Sequence, residues 1–167
     1  PKKLALEGES DLRRYVEHLR SQHQFQGEFA QPVVRCLTVV ANRRNLSLRD
    51  VERVFGNLRL FYAAAPARGL NPPALLVALA TLKVIAPDIF RRLRSNDCSW
   101  DEMRAALRLP DLLDVHGRRP ESWLDTVSMW LALGLLTDAE YAQIPEEHHI
   151  RATNEGLQRY HLTRSDL

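Results

Sequence analysis

The sequence predicts an all-α fold, an irregular helical bundle of about seven or eight helices. Three observations predict it. Apolar residues recur at steps of three and four through most of the chain, which is the period of a helix with one buried face. No run alternates apolar and polar residues over the length of a strand, although a short strand near His149–Thr153 stays open. Prolines and serine–acid pairs fall where helices would begin.

Residues 1–9 read as a tail. A first helix is expected from Ser10 to about Gln24, with Leu12, Tyr15, Val16 and Leu19 on one face and Gly27 as its breaker. Pro32 suits the first position of a second helix, Pro32–Asn42, and Arg43–Leu46 follows as a loop. The stretch Asn45–Ala65 is the longest periodic segment, and the rest of the chain is expected to be organised around it. Ser47, three residues before Asp50, reads as its N-cap, close to a capping box although the usual acid is glutamate. Leu48, Val51, Phe55, Leu58 and Tyr62 make its apolar stripe, and Arg49, Glu52, Arg53, Asn57 and Arg59 its polar flank. Pro66 and Gly69 mark its exit.

Pro73–Ala86 is apolar almost all round, so it is buried or waits for a partner. Pro87 opens a short helix with Ile89, Phe90 and Leu93, and Ser99 with Glu102 is a capping box launching Trp100–Leu107. Pro110–Arg119 reads as a loop. A helix from Pro120 carries Trp123, Leu124, Val127, Trp130, Leu131 and Leu135, and Thr137 with Glu140 caps a last short one. The expected division is a lid-like bundle over 10–95, a helical extension over 96–145 packed on it, and a tail or docking segment over 146–167.

With 167 residues the chain can hold one hydrophobic core. The net charge is only +2, yet lysine occurs at Lys2, Lys3 and Lys83 alone, so 20 of the 23 basic residues are arginine. Arginine suits bidentate contacts with carboxylate or phosphate, although coding bias produces the same skew. Cys36 and Cys98 lack the spacing of a zinc site or a disulfide framework, so reduced structural thiols in the cytoplasm are expected. The longest apolar run, Leu75–Ala86, is interrupted by Lys83 and is too short to span a bilayer.

Catalytic patterns are sparse. None of the seven glycines is followed by lysine, so a phosphate-binding loop is missing, and no apolar strand ends in paired acids to hold magnesium. His148 and His149 are adjacent and so diverge on a helix; Glu146 and Glu147 do not mend the spacing for a metal. No Gly-x-Ser-x-Gly elbow occurs. The chain alone is expected to be no enzyme.

The arginines remain. Arg43, Arg44, Arg49 and Arg53 converge in sequence on one helix start, where the macrodipole favours an anion. Arg49 and Arg53, four apart, could grip one phosphate group; the plain alternative is intrahelical pairing of Asp50 with Arg53 and of Glu52 with Arg49.

The segment Asn45–Leu60, NLSLRDVERVFGNLRL, resembles the C-terminal helical part of the KAP family of P-loop NTPases. YVEHL at Tyr15–Leu19 is similar to a helix that precedes it in that family, and Leu75–Leu93 to its buried helix followed by Asp-x-[FY]. The likeness covers residues 10–95. It implies a helical lid of an ATPase whose P-loop core, with ATP and magnesium, stands upstream; the chain's start at Pro1 rather than Met suggests an excised piece. Arg49 would then be the cation that senses the terminal phosphates, with Arg53 a second candidate. The implied partners are that core and other proteins, in bacterial defence or membrane-associated scaffolding. Two other readings stand beside it. One is a helical nucleic-acid-binding domain using Arg43–Arg53, extended by Arg91, Arg92, Arg94, Arg104 and Arg108; the other is a ligand-free helical adaptor.

Overall fold

A computed structural model describes residues 9–64, 73–95, 97–109, 127–129, 131–132, 136, 139 and 142–143. Among them the fold is all-α, with no strand and six helices: α1 (Glu9–Gln22), α2 (Ala30–Arg44), α3 (Leu48–Ala64), α4 (Pro73–Ile85), α5 (Pro87–Arg94) and α6 (Trp100–Leu107). Residues 127–129 and 131–132 are helical too, within the segment expected from Pro120. Trp123, Leu124, Trp130 and Leu135 of that segment lie outside the described residues. So do the Pro110–Arg119 loop, the Thr137–Glu140 cap, the His149–Thr153 stretch, His148 beside it, the exit at Pro66 and Gly69, and both tails.

The stripe on α1 holds as read: Leu12, Val16 and Leu19 are buried, and Tyr15 is half-buried. The helix stops at Gln22, two residues before the expected end, because Gln24 already adopts a left-handed φ of 52°. Gly27, at φ 110°, completes the turn. The next helix starts earlier than Pro32 suggested, at Ala30. Pro32 is its third residue, where the missing N–H costs nothing because the first turn's donors have no intrahelical partner. The helix also runs past Asn42: Arg43 and Arg44 form its last turn, and Asn45 ends it in the left-handed conformation at φ 50°. The expected loop therefore shrinks to the three residues between α2 and α3.

The central post is α4 rather than α3. It contacts α2, α3, α5 and α6, and every residue from Ala74 to Leu82 but Leu76 is buried. Thr81 is tolerated among them because its hydroxyl donates to the carbonyl of Val77 at 2.7 Å, as Thr38 of α2 donates to Val34 at 2.8 Å. The longest helix, α3, packs on α4 and α1 with Val51, Val54, Phe55 and Leu58, and leaves its other side to solvent. Phe55 meets His23 and Phe25, and Tyr62 meets Phe25 and Phe29, so an aromatic group seals the turn between α1 and α2 against α3. Met103, Leu107, Val127 and Leu131 share the same core as the first four helices.

Between α5 and α6 the chain is clasped by polar groups. Ser99 Oγ accepts from the Glu102 N–H at 3.2 Å, and the Ser99 N–H donates to Glu102 Oε2 at 3.0 Å, a complete capping box. Arg92 donates both terminal nitrogens to the same carboxylate, at 2.7 and 3.1 Å, and its Nε to the Asp97 carbonyl at 2.9 Å. These contacts, Arg92's bidentate pair first and the capping bonds from Ser99 next, hold the Glu102 carboxyl down at about 2.

Candidate functional site

The candidate residues gather at the start of α3. Ser47 Oγ accepts from the Asp50 N–H at 3.2 Å and donates to Asp50 Oδ2 at 2.6 Å. The cap is thus present, but the aspartate returns to the hydroxyl. Asp50 Oδ1 also lies 3.7 Å from Arg53 Nη1, an open ion pair between two partly exposed side chains. Such a pair contributes little in water, on the order of 0.5 kcal/mol.

The other expected pairing is not what the structure holds. Glu52 does not turn along the helix to Arg49; its Oε1 accepts the hydroxyl of Tyr15 from α1. Burial first, and then this bond to a carboxylate, push the Tyr15 hydroxyl up to about 12. Arg49 is left exposed in the first turn of α3, with no ion pair or hydrogen bond to any described residue. Two acids that could have neutralised it are engaged elsewhere. Tyr15 is the residue that the sequence could not supply, since a contact across 37 positions leaves no local pattern.

Arg43 and Arg44 do not join this group as the sequence suggested. Both stand in the last turn of α2, where the helix carbonyls attract cations. Arg43 Nε donates to the carbonyl of Arg108, at the left-handed end of α6, at 3.2 Å. Arg44 is half-buried, and its Nε is shielded from water without a partner among the described residues. Burial, and then the charge of Arg108, pull its pKa down. Of the two, Arg43 ties α2 to α6.

The wider basic face is largely neutralised as well. Arg91 pairs with Asp88, Arg92 with Glu102, and Arg104 with Asp101 at 3.4 Å. Arg20 holds Glu17 at 2.7 Å beside an open depression lined by Ser10, Arg13, Arg14 and Glu17. Among the described residues no three histidines, cysteines or acids stand together as a metal site would require. Cys36 is buried, which pushes its thiol up to about 12 and leaves it a poor nucleophile; Cys98 is half-buried, and both are free thiols. No described helix is long and apolar enough to cross a membrane.

Comparison with protein-family models, with curated proteins and with solved structures finds no match for this chain.

Proposed function

We propose that this chain is the helical module of a KAP-like P-loop ATPase, which senses nucleotide state and docks partners but does not catalyse alone. In this reading a P-loop core elsewhere in the same protein holds ATP and magnesium, and Arg49 is brought to the terminal phosphates. The observation that carries it is the state of Arg49: exposed, in the first turn of a rigidly packed helix, with Asp50 held by Ser47 and Glu52 by Tyr15. A cation whose nearby acids are occupied is available to an external anion, and the helix start adds its own positive dipole end. The inner face of α3 is fixed on α4, so phosphate loss felt at Arg49 moves a whole element rather than one side chain. Arg53, in its loose pair with Asp50, is a second contact for the same anion.

The nucleic-acid reading is disfavoured by the carboxylate partners of Arg91, Arg92 and Arg104 and by the bond of Arg43 to the Arg108 carbonyl.

The test is ATP turnover by the full-length protein with Arg49→Ala and Arg49→Lys. Losing a cation that acts on a developing phosphate charge costs about 10²-fold in rate. The expected result is a loss of that order for Arg49→Ala, partial recovery for Arg49→Lys, and an unchanged melting temperature for both. Unchanged turnover, or a full-length protein with no ATPase activity, overturns the reading.

A further inference from the structure

Gly56 stands in the middle of α3 with no positive φ to require it. A Cβ built there would meet no atom within 4 Å. Neither conformation nor packing among the described residues therefore asks for glycine, and glycine in a helix interior is less stable than alanine. Four residues on, Leu60 is 66% exposed, the large apolar side chain left in water among the described residues. Ala63 is exposed three residues further, so Gly56, Leu60 and Ala63 form one outward line. Arg53 and Arg59 flank it, both exposed; Arg53 Nη1 lies 3.7 Å from Asp50 Oδ1, and Arg59 Nη1 meets the ring of His23 at 3.1 Å, so neither is closed off by a tight carboxylate pair. The acid on this face, Glu52, is turned to Tyr15.

We infer that the outer face of α3 from Glu52 to Ala63 seats an acidic amphipathic helix of a partner protein, crossing α3 at Gly56. This does not rest on the role proposed for Arg49, which lies a turn before it, although it shares Arg53 with that reading. The missing side chain at Gly56 lets a second backbone approach closer than the usual 8–10 Å between helix axes. Leu60 then inserts between the partner's side chains, and carboxylates on the partner's flanks meet Arg53 and Arg59, which suit bidentate contacts. A second copy of the chain fits poorly, because pairing about Gly56 sets Arg53 against Arg59 or each arginine against itself. A nucleic acid fits poorly too: its phosphates would use the arginines but gain nothing from Leu60.

The probes are two synthetic helical peptides of about 20 residues, some 30 Å long. Each carries alanine along the crossing line and leucine beside it, with glutamate on the flanks of one and lysine on the flanks of the other. Titrated into the full-length protein, the glutamate peptide is expected to bind and the lysine peptide not. Gly56→Leu and Leu60→Asp should each weaken binding at least tenfold, and the double variant Arg53→Glu, Arg59→Glu should prefer the lysine peptide. Gly56→Ala separates docking from stability: its melting temperature should rise by about 2 °C while its affinity falls. The inference is overturned if neither peptide binds, if both bind alike, if duplex DNA displaces the glutamate peptide, or if Gly56→Leu binds unchanged.

Discussion

Two helices of this chain begin with the same pattern, a serine followed three residues later by an acid, and they begin differently. At α6 the acid is Glu102, long enough to reach the backbone N–H of Ser99 while Arg92 grips it from α5. At α3 the acid is Asp50, one methylene shorter; it is bonded to the Ser47 hydroxyl, and its arginine stays 3.7 Å away. The closed start ties two helices together. The open start leaves charge unspent, and Arg49 beside it faces solvent. One carbon in one side chain separates a closed joint from an open start.

The largest effect is expected from breaking the closed start. Glu102→Gln removes the capping acceptor's charge and the bidentate partner of Arg92 together. The carboxyl's folded pKa, about 2, lies below its unfolded value, so its stabilising contribution is complete above the ordinary glutamate range near 4.5. That contribution fades as pH falls from about 4.5 through 2. Urea unfolding should show the variant less stable than the wild type at pH 7, with the difference shrinking across that window. A difference that does not change with pH would mean that Glu102 acts through shape and not through charge.

How far the sequence disclosed all this depends on how local each feature is. The cap at Ser99, the proline start of α5 and the stripes on α1 and α3 are written in neighbouring residues, and they were legible. The end of α2 is written there too, in Asn45, a residue that tolerates the left-handed conformation. The identity of the central helix was harder. Length and a clear stripe point to α3, but a stripe marks a helix with one side in water. The all-round apolar pattern of α4 was the sign of the centre. For the candidate site, Arg49 and Arg53 could be nominated from spacing alone. What the sequence could not give is the competition for their acids, because Tyr15 meets Glu52 only after α1 and α3 pack.

The open start can also be closed by design. Asp50→Glu supplies the missing methylene, so the carboxylate can reach the Ser47 N–H. The variant should gain about 0.5 kcal/mol, read as a higher urea midpoint at unchanged slope. No gain would show that the α3 start is held by its packing rather than by the length of its acid.

The smallest expected effect is the most informative about Arg49. Tyr15→Phe keeps the ring and removes the hydroxyl that holds Glu52. Because burial and the carboxylate raise the Tyr15 pKa to about 12, its contribution is complete below 10 and lost as pH rises from about 10 to 12. The variant should lack that alkaline loss. Released, Glu52 can turn along α3 to Arg49, three residues away, and such a pair is worth about 0.4 kcal/mol. That energy is about a factor of two in the availability of Arg49. If the proposed ATPase reading holds, ATP turnover by the full-length protein should therefore fall about twofold in Tyr15→Phe and recover in Tyr15→Phe combined with Glu52→Gln. If the single variant turns over ATP as the wild type does, Tyr15 merely packs, and Arg49 owes its freedom to something other than the tie between α1 and α3.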